Sequence, residues 1–591
     1  MKGSREQRIF WILMAALAVY TVKSIFVGAD IDEAYGVTLG YRLVQGDRLM
    51  WDMWEPHQTS AIFTALFIRL ILFFTGGSLN FMTILLRVCF FFVQAGITLY
   101  LSKCFRECLP FLSRWEQILL AMVYFITTPK CIYVPEYSNL HMWFSTLLVL
   151  FLMQYFCRAS RNYGKTLYLV LAGAMLACDV LAYPGMIIFY PVCAGFLLWK
   201  APAGKRRPVQ FVAFSLPCVL GGCLFLAYIM SYMSPQDIML VVPCILGDGS
   251  HQTTWTDKLR IWGLGIGEIT LLTAGCGAVA TLFVFAGRWL EKRRDKSEDG
   301  GSEQDRSGDG RSRRSCWVDW LFWWFVVQTV FQILYWFDSD YNSGYPQLSY
   351  AAVAVFGLCC ARGCEHKSRT ARYMIGLTLV NFVGLNIFSN WKPVSLTVYL
   401  VVGLLGGFLC WRQYFLEKSG GAGLRLMRVI LVMFLLSEVF GRCLLMIGGD
   451  EGSSMTYQVR GISREGVRGG ILTSYMNSYR YNDNYDHFSE IVSAGSMILY
   501  LGPSQFYYMM GDCRIASPTT ISTPEYDESL ELYYELHPER FPDVVVMESC
   551  YGDVSYFAED DYIFTWLDDS YGPYEIEEYP YVRVYRRQES R

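Results

Sequence analysis

Six carboxylates crowd into residues 28–63, GADIDEAYGVTLGYRLVQGDRLMWDMWEPHQTSAIF: Asp30, Asp32, Glu33, Asp47, Asp52 and Glu55. The stretch directly follows the first long apolar run of the chain. A carboxylate at a membrane boundary meets a lower dielectric than bulk water, which disfavours its charged form and moves its pKa toward that of a usable base. An acid near lipid is also costly unless something pairs with it, so acids placed there point to function. Asp30 has a plainer role open to it. As an N-cap, with Glu33 three residues on, it makes a capping box for EAYGVTLGYRLVQG. Asp32 with Glu33 then stands as the candidate for proton transfer.

The elements that must hold these acids are membrane helices. The chain has 591 residues, is 53% hydrophobic and 17% charged, and has a mean hydropathy of +0.27. Apolar runs of about 17–25 residues, each able to cross about 30 Å of hydrocarbon, recur along it. Hydropathy predicts thirteen spans near 9–27, 80–102, 116–129, 139–157, 166–182, 184–199, 209–232, 262–287, 317–337, 347–361, 371–388, 394–411 and 426–446. The first lacks a small-residue cleavage site and is expected to be retained. The 19 Cys show no zinc-type spacing and imply no disulfide framework.

Positive charge sets the orientation. With Lys2, Arg5 and Arg8 cytoplasmic, the basic loops fall on the cytoplasmic side, provided that the apolar stretch 60–75 does not cross. That stretch is therefore read as a helix lying along the outer surface. The first outer loop then covers 28–79, far longer than a connector needs. Residues 1–446 form the membrane domain. A Gly/Ser-rich, highly charged cytoplasmic linker at about 291–316 is expected to be disordered. Residues 447–591 are expected outside as a small α/β domain, with strands at SMILYLG and PDVVVME, a helix at TPEYDESLELYYELHPERF, and an edge strand at YPYVRVYRR. No internal repeat, glycine-rich phosphate loop, H-E-x-x-H or G-x-S-x-G motif occurs, and nothing calls for nucleic acid as a partner.

A first span, then DEAY, then a short helix ending in QGD, then W-x3-EPH opening an apolar interfacial helix, resembles the start of the GT-C fold glycosyltransferases. The pattern is similar to the protein O-mannosyltransferases and the lipid A aminoarabinose transferases. The resemblance implies a GT-C-like bundle of about thirteen transmembrane helices with an extracytoplasmic C-terminal domain. It also implies a transferase whose donor is a polyprenyl-phosphate-linked sugar and whose acceptor is a lipid, a protein or a wall glycan. Asp32 would be the general base of an inverting transfer, with Glu33 beside it. The departing lipid phosphate needs a cation. Arg87, in the second span, and Lys392, in the short outer loop SNWKPV, are candidates, as is Lys258. Glu55, Pro56 and His57 match the family's entry to the juxtamembrane helix, which makes Glu55 and His57 candidates for substrate contact. A divalent ion could serve in place of a cationic side chain. Glu55, and Glu136 in the second outer loop where relatives often carry an Asp, would be its ligands. Tyr345, in DSDYNSGYPQ, could stack on a sugar. Two other readings stay open: a transporter or flippase of lipid-linked saccharide, and a non-catalytic cell-envelope scaffold.

Overall fold

The computed structural model describes residues 4–129, 132–157, 166–200, 206–246, 254–298, 315–336, 348–365, 368–444, 459–520, 529–550, 554, 557, 558 and 560–588. Helices dominate up to residue 444. They are α1 (Ser4–Phe26), α2 (Ile31–Gln45), α3 (Ala61–Thr75), α4 (Met82–Cys108), α5 (Arg114–Ile126), α6 (Tyr137–Cys157), α7 (Thr166–Ala182), α8 (Phe189–Lys200), α9 (Arg206–Met230), α10 (Pro235–Leu246), α11 (Trp255–Glu298), α12 (Cys316–Trp336), α13 (Leu348–Gly363), α14 (Arg369–Phe388) and α15 (Val401–Leu444), the last broken at Gly420.

Every one of the thirteen expected spans falls on a helix, and the protein is a multi-pass membrane protein. The count of thirteen crossings is another matter. Among the described residues eight helical stretches are long and apolar enough to cross, and they include Gln58–Thr75. Others are short: α5 has 13 residues, about 20 Å at 1.5 Å per residue, against the roughly 30 Å of a hydrocarbon core. The expected linker also begins later than 291, because α11 continues to Glu298; residues 299–314 lie outside the described residues.

The stretch 61–75 returns the chain to the face it left. Thr59, just before α3, donates to the Leu181 carbonyl at the end of α7, and Thr64 donates to the Pro135 carbonyl just before α6. Beyond α3, the Phe81 and Thr83 amides donate to the Gly466 and Val467 carbonyls of the C-terminal segment. That segment also accepts the Gly28 amide, at the end of α1, on the Leu472 carbonyl. Both ends of α3 are thus tied to one face of the bundle, called here the loop face.

The C-terminal segment is a small α/β domain. It contains β1 (Gly461–Ile462) and β2 (Leu472–Thr473), then α16 (Tyr475–Ile491), β3 (Ser496–Leu501), β4 (Cys513–Ile515), α17 (Ser529–Leu536), β5 (Val544–Glu548), α18 (Tyr562–Trp566), β6 (Tyr574–Glu578) and β7 (Val582–Arg587). Its five-stranded sheet has the order β4-β3-β5-β7-β6; β3 is parallel to β4 and β5, and β7 is antiparallel to β5 and β6. The strands expected at SMILYLG and PDVVVME are β3 and β5. The expected edge strand is β7, and it is interior. Its outer edge is covered by β6, whose sequence YEIEE carries three acids on five residues and gave no apolar signal. Of the helix expected around residues 523–541, α17 is the helical part described, and residues 521–528 lie outside the described residues.

Candidate functional site

α2 starts where its sequence says it should. Asp30, extended at φ −125°, accepts the Asp32 amide at 2.8 Å, and Gly46 closes the helix in the left-handed region at φ 100°. Glu33 does not complete a capping box. It is fully buried and receives Arg87 Nε at 2.8 Å and Nη2 at 2.5 Å, a two-pronged ion pair. The same guanidinium donates to the carbonyls of Ser24, Ile25, Val27 and Gly28, which closes the C-terminal end of α1. Glu33 and Arg87, named above for proton transfer and for phosphate, are therefore committed to each other and to the α1–α2 corner. The sheltered position that made each a candidate is what lets them satisfy one another.

The later acids hold the C-terminal domain. Arg42, also fully buried, donates to Asp47 (2.7 Å), to Glu55 (3.4 Å) and to the Asp52 carbonyl. Asp47 and Asp52 both meet Arg540, which lies just after α17, at 2.8 and 3.3 Å. Arg48 grips Asp52 through its amide and guanidinium. Burial pushes the Asp52 pKa up, but the Arg48 and Arg540 contacts outweigh it and hold the group below its usual value. Glu55 accepts the Thr520 amide at 2.8 Å and its hydroxyl at 3.2 Å. Burial raises Glu55 to about 7, although Arg42 and Thr520 pull the other way. Glu55 thus faces the C-terminal domain.

Asp32 differs from the other five acids. Asp30, Glu33, Asp47, Asp52 and Glu55 are all buried, whereas Asp32, on the first turn of α2, is half-buried. It stands near Glu136, the residue that opens α6. Glu136 accepts the Ser138 amide (2.8 Å) and hydroxyl (2.5 Å) and the Asn139 amide (2.8 Å). Burial raises its pKa to about 7, those bonds resist the rise, and the Asp32 charge adds to it. Gly36 permits this approach, because a Cβ there would overlap the Glu136 Cβ.

An aromatic wall continues from Glu136. The His57 ring stacks on Tyr137 at 4.1 Å and 4°. Tyr183 is 5.0 Å from His57 and 5.7 Å from His141. His141 Nδ1 lies 2.7 Å from Asp179, both fully buried, and its Nε2 lies 3.5 Å from the Asn381 amide. Tyr399 packs on the same imidazole at 5.2 Å. The His141–Asp179 pair, Tyr137, Tyr183 and Tyr399 are absent from the sequence-predicted set. The signal available was two ionisable residues in neighbouring apolar spans, each near the same membrane face.

Lys392 is exposed in the turn between α14 and α15, seven residues before Tyr399, and makes no ion pair among the described residues. Lys258 instead donates to the Ile387 carbonyl at 2.8 Å and tethers the end of α14. Tyr345 lies outside the described residues. The two residues expected to bind metal are each engaged within the protein. The Glu136 oxygens cap α6, those of Glu55 serve Arg42 and Thr520, and no group of three or more His, Cys, Asp or Glu suited to a metal occurs among the described residues.

No family model matches the chain, and no curated protein matches it. Among solved structures it is similar to ArnT from Cupriavidus metallidurans bound to undecaprenyl phosphate, with 11% identity over 99% of this chain and 98% of that one and a TM-score of 0.47. It is also similar to the Archaeoglobus fulgidus oligosaccharyltransferase in the apo form (9% identity, 91% and 69% of the two chains, TM-score 0.43). A third structure is the oligosaccharyltransferase AglB of that organism with an inhibitory peptide and a dolichol-phosphate (10% identity, 92% and 70%, TM-score 0.41). These are GT-C fold glycosyltransferases. The likeness is one of overall path, and no residue role passes from it to this chain.

Proposed function

We propose that the protein is a membrane glycosyltransferase that moves a sugar from a polyprenyl-phosphate carrier to an acceptor at its loop face, which we take to be extracytoplasmic. The orientation rests on the basic residues of the opposite face, and the donor class rests on the resemblance of the first loop. The observation that carries the reading is the exposure pattern of that loop. Five of its six acids are buried, while Asp32 is half-buried beside the His57–Tyr137 stack and Glu136.

In this reading the acceptor O–H or N–H points at Asp32, and its heteroatom attacks the anomeric carbon. The bond from that carbon to the phosphate oxygen breaks with inversion, the proton passes to Asp32, and polyprenyl phosphate leaves. The aromatic faces of His57 and Tyr137 bound the sugar. Lys392 meets the leaving phosphate, and Glu33 with Arg87 positions α2. The acceptor is left as a lipid, a protein or a wall glycan.

The test is Asp32→Asn in the purified full chain, assayed by release of polyprenyl phosphate from a labelled lipid-linked sugar. Loss of a general base costs about 10²–10⁴-fold in rate. Turnover is expected to fall by that amount while donor binding persists. A variant that turns over normally, or a wild-type chain that moves the donor between leaflets without releasing phosphate, overturns the reading in favour of a flippase or scaffold.

A further inference from the structure

At the opposite end of the bundle the helices leave a cavity of about 780 Å³. α6 runs from the loop face at Tyr137 to Cys157, twenty residues or about 30 Å away, and Cys157 lines this cavity. Cys157 Sγ lies 3.7 Å from the Thr370 hydroxyl at the start of α14, so the ends of α6 and α14 meet there. The C-terminal end of α8 forms the third wall.

The cavity has two chemically distinct parts. Its body is apolar, built on three rings: Phe156 lies 5.4 Å from Phe196 and 6.0 Å from Tyr373, and Phe196 lies 5.2 Å from Tyr373. Trp199 stands at its edge, 71% exposed. Its polar end carries Arg369 and Arg372, one turn apart on α14, and among the described residues no acidic one lines it. Among the described residues neither arginine makes an ion pair, and Arg372 Nε is enclosed with no hydrogen-bond acceptor. A buried guanidinium nitrogen without an acceptor is costly. Two cations with no ion-pair partner among the described residues, at the end of an apolar slot, therefore call for a ligand with an anionic head and a hydrocarbon tail, and the volume lies within the range of small-molecule sites.

We propose that this cavity binds an anionic glycerophospholipid of the leaflet at that face, its phosphate on Arg369 and Arg372 and one acyl chain against Phe156, Phe196 and Tyr373. The occupant is not the reacting donor, because its phosphate would lie about 30 Å from Asp32 along α6.

The test uses the full chain in neutral detergent, with retained lipid read by native mass spectrometry. The probes are dioleoylphosphatidylglycerol and dioleoylphosphatidylcholine. Each basic side chain beside an anionic headgroup is worth roughly fivefold in binding, so the pair predicts about a 25-fold preference for one phosphatidylglycerol. Arg369→Gln/Arg372→Gln is expected to abolish the preference without changing the melting temperature in phosphatidylcholine. Arg288→Gln/Arg293→Gln, which removes two exposed charges from α11, is expected to keep it. Equal retention of the two lipids by wild type, an undiminished preference in the cavity variant, or an equal loss in the α11 variant would each overturn the proposal.

Discussion

Replacing Arg87 by Met separates the two roles that this residue can hold. In the structure the side chain neutralises Glu33 and closes four carbonyls at the end of α1. Arg87→Met leaves Glu33 fully buried with no cation and those carbonyls without a donor. Removing one partner of a buried ion pair costs about 3–5 kcal/mol. At roughly 2 °C per kcal/mol for a large domain, the melting temperature falls by about 6–10 °C. Adding Glu33→Leu removes the stranded charge, so the double variant recovers part of that loss; the remainder belongs to the carbonyls. The assay is thermal melting of the detergent-solubilised full chain, run beside donor binding. If Arg87→Met melts like wild type and instead loses affinity for a polyprenyl-phosphate donor, the guanidinium faces substrate and the closed-corner reasoning fails.

Arg540→Ala removes the cation shared by Asp47 and Asp52; it is expected to cost about 2–4 kcal/mol and to speed proteolytic release of the C-terminal domain, and unchanged protease resistance would contradict the latch. Glu136, raised to about 7 in the folded chain from an ordinary value near 4.5, binds its proton more tightly when folded. Its contribution to stability is therefore fully present below about pH 4.5, declines as pH rises through about 7, and is flat above; Glu136→Gln should flatten that slope in melting curves taken from pH 4.5 to 8. Phe at Tyr137 keeps the ring against His57 and should leave turnover within a few-fold, whereas Tyr137→Ala removes the stacked face and should raise KM for the donor more than it lowers kcat.

What the sequence disclosed follows the range of the interactions concerned. Apolar periodicity is local, so all thirteen expected segments fall on helices, and β3 and β5 stand where their short apolar runs lie. The Asp30 cap is equally local, reaching two residues to the Asp32 amide. The pairing of charges is not local. Glu33 finds Arg87 across 54 residues, and Glu55 finds Thr520 across 465. Both members of the first pair stand out in the sequence by their improbable positions, and what it does not disclose is that they face each other. The His141–Asp179 contact spans 38 residues and two helices. Its members sit in apolar runs where only a tertiary model shows them touching. β7 reads as an edge strand because alternation reports which face of a strand is buried and says nothing of how many neighbours it has.

The crowding of acids beside the membrane then has a physical cause that does not require six catalytic groups. Buried ion pairs add little net stability, but a partner left unpaired is expensive, so they fix which surfaces dock and in what register. Asp47, Asp52 and Glu55 use this to seat the C-terminal domain through Arg540 and Thr520, while Glu33 fixes the corner where α1 hands the chain to α2. Both attachments act on the same 15-residue helix, about 22 Å long. Thr38 at its middle also donates to the Gln505 carbonyl of the C-terminal domain, and Arg42 near its end joins the latch. Asp32 sits on the first turn of that helix. Its position relative to Glu136 and the aromatic wall is therefore set by contacts made at the α1 corner and along the seat of the C-terminal domain. The C-terminal domain is in this way part of what sets the position of Asp32.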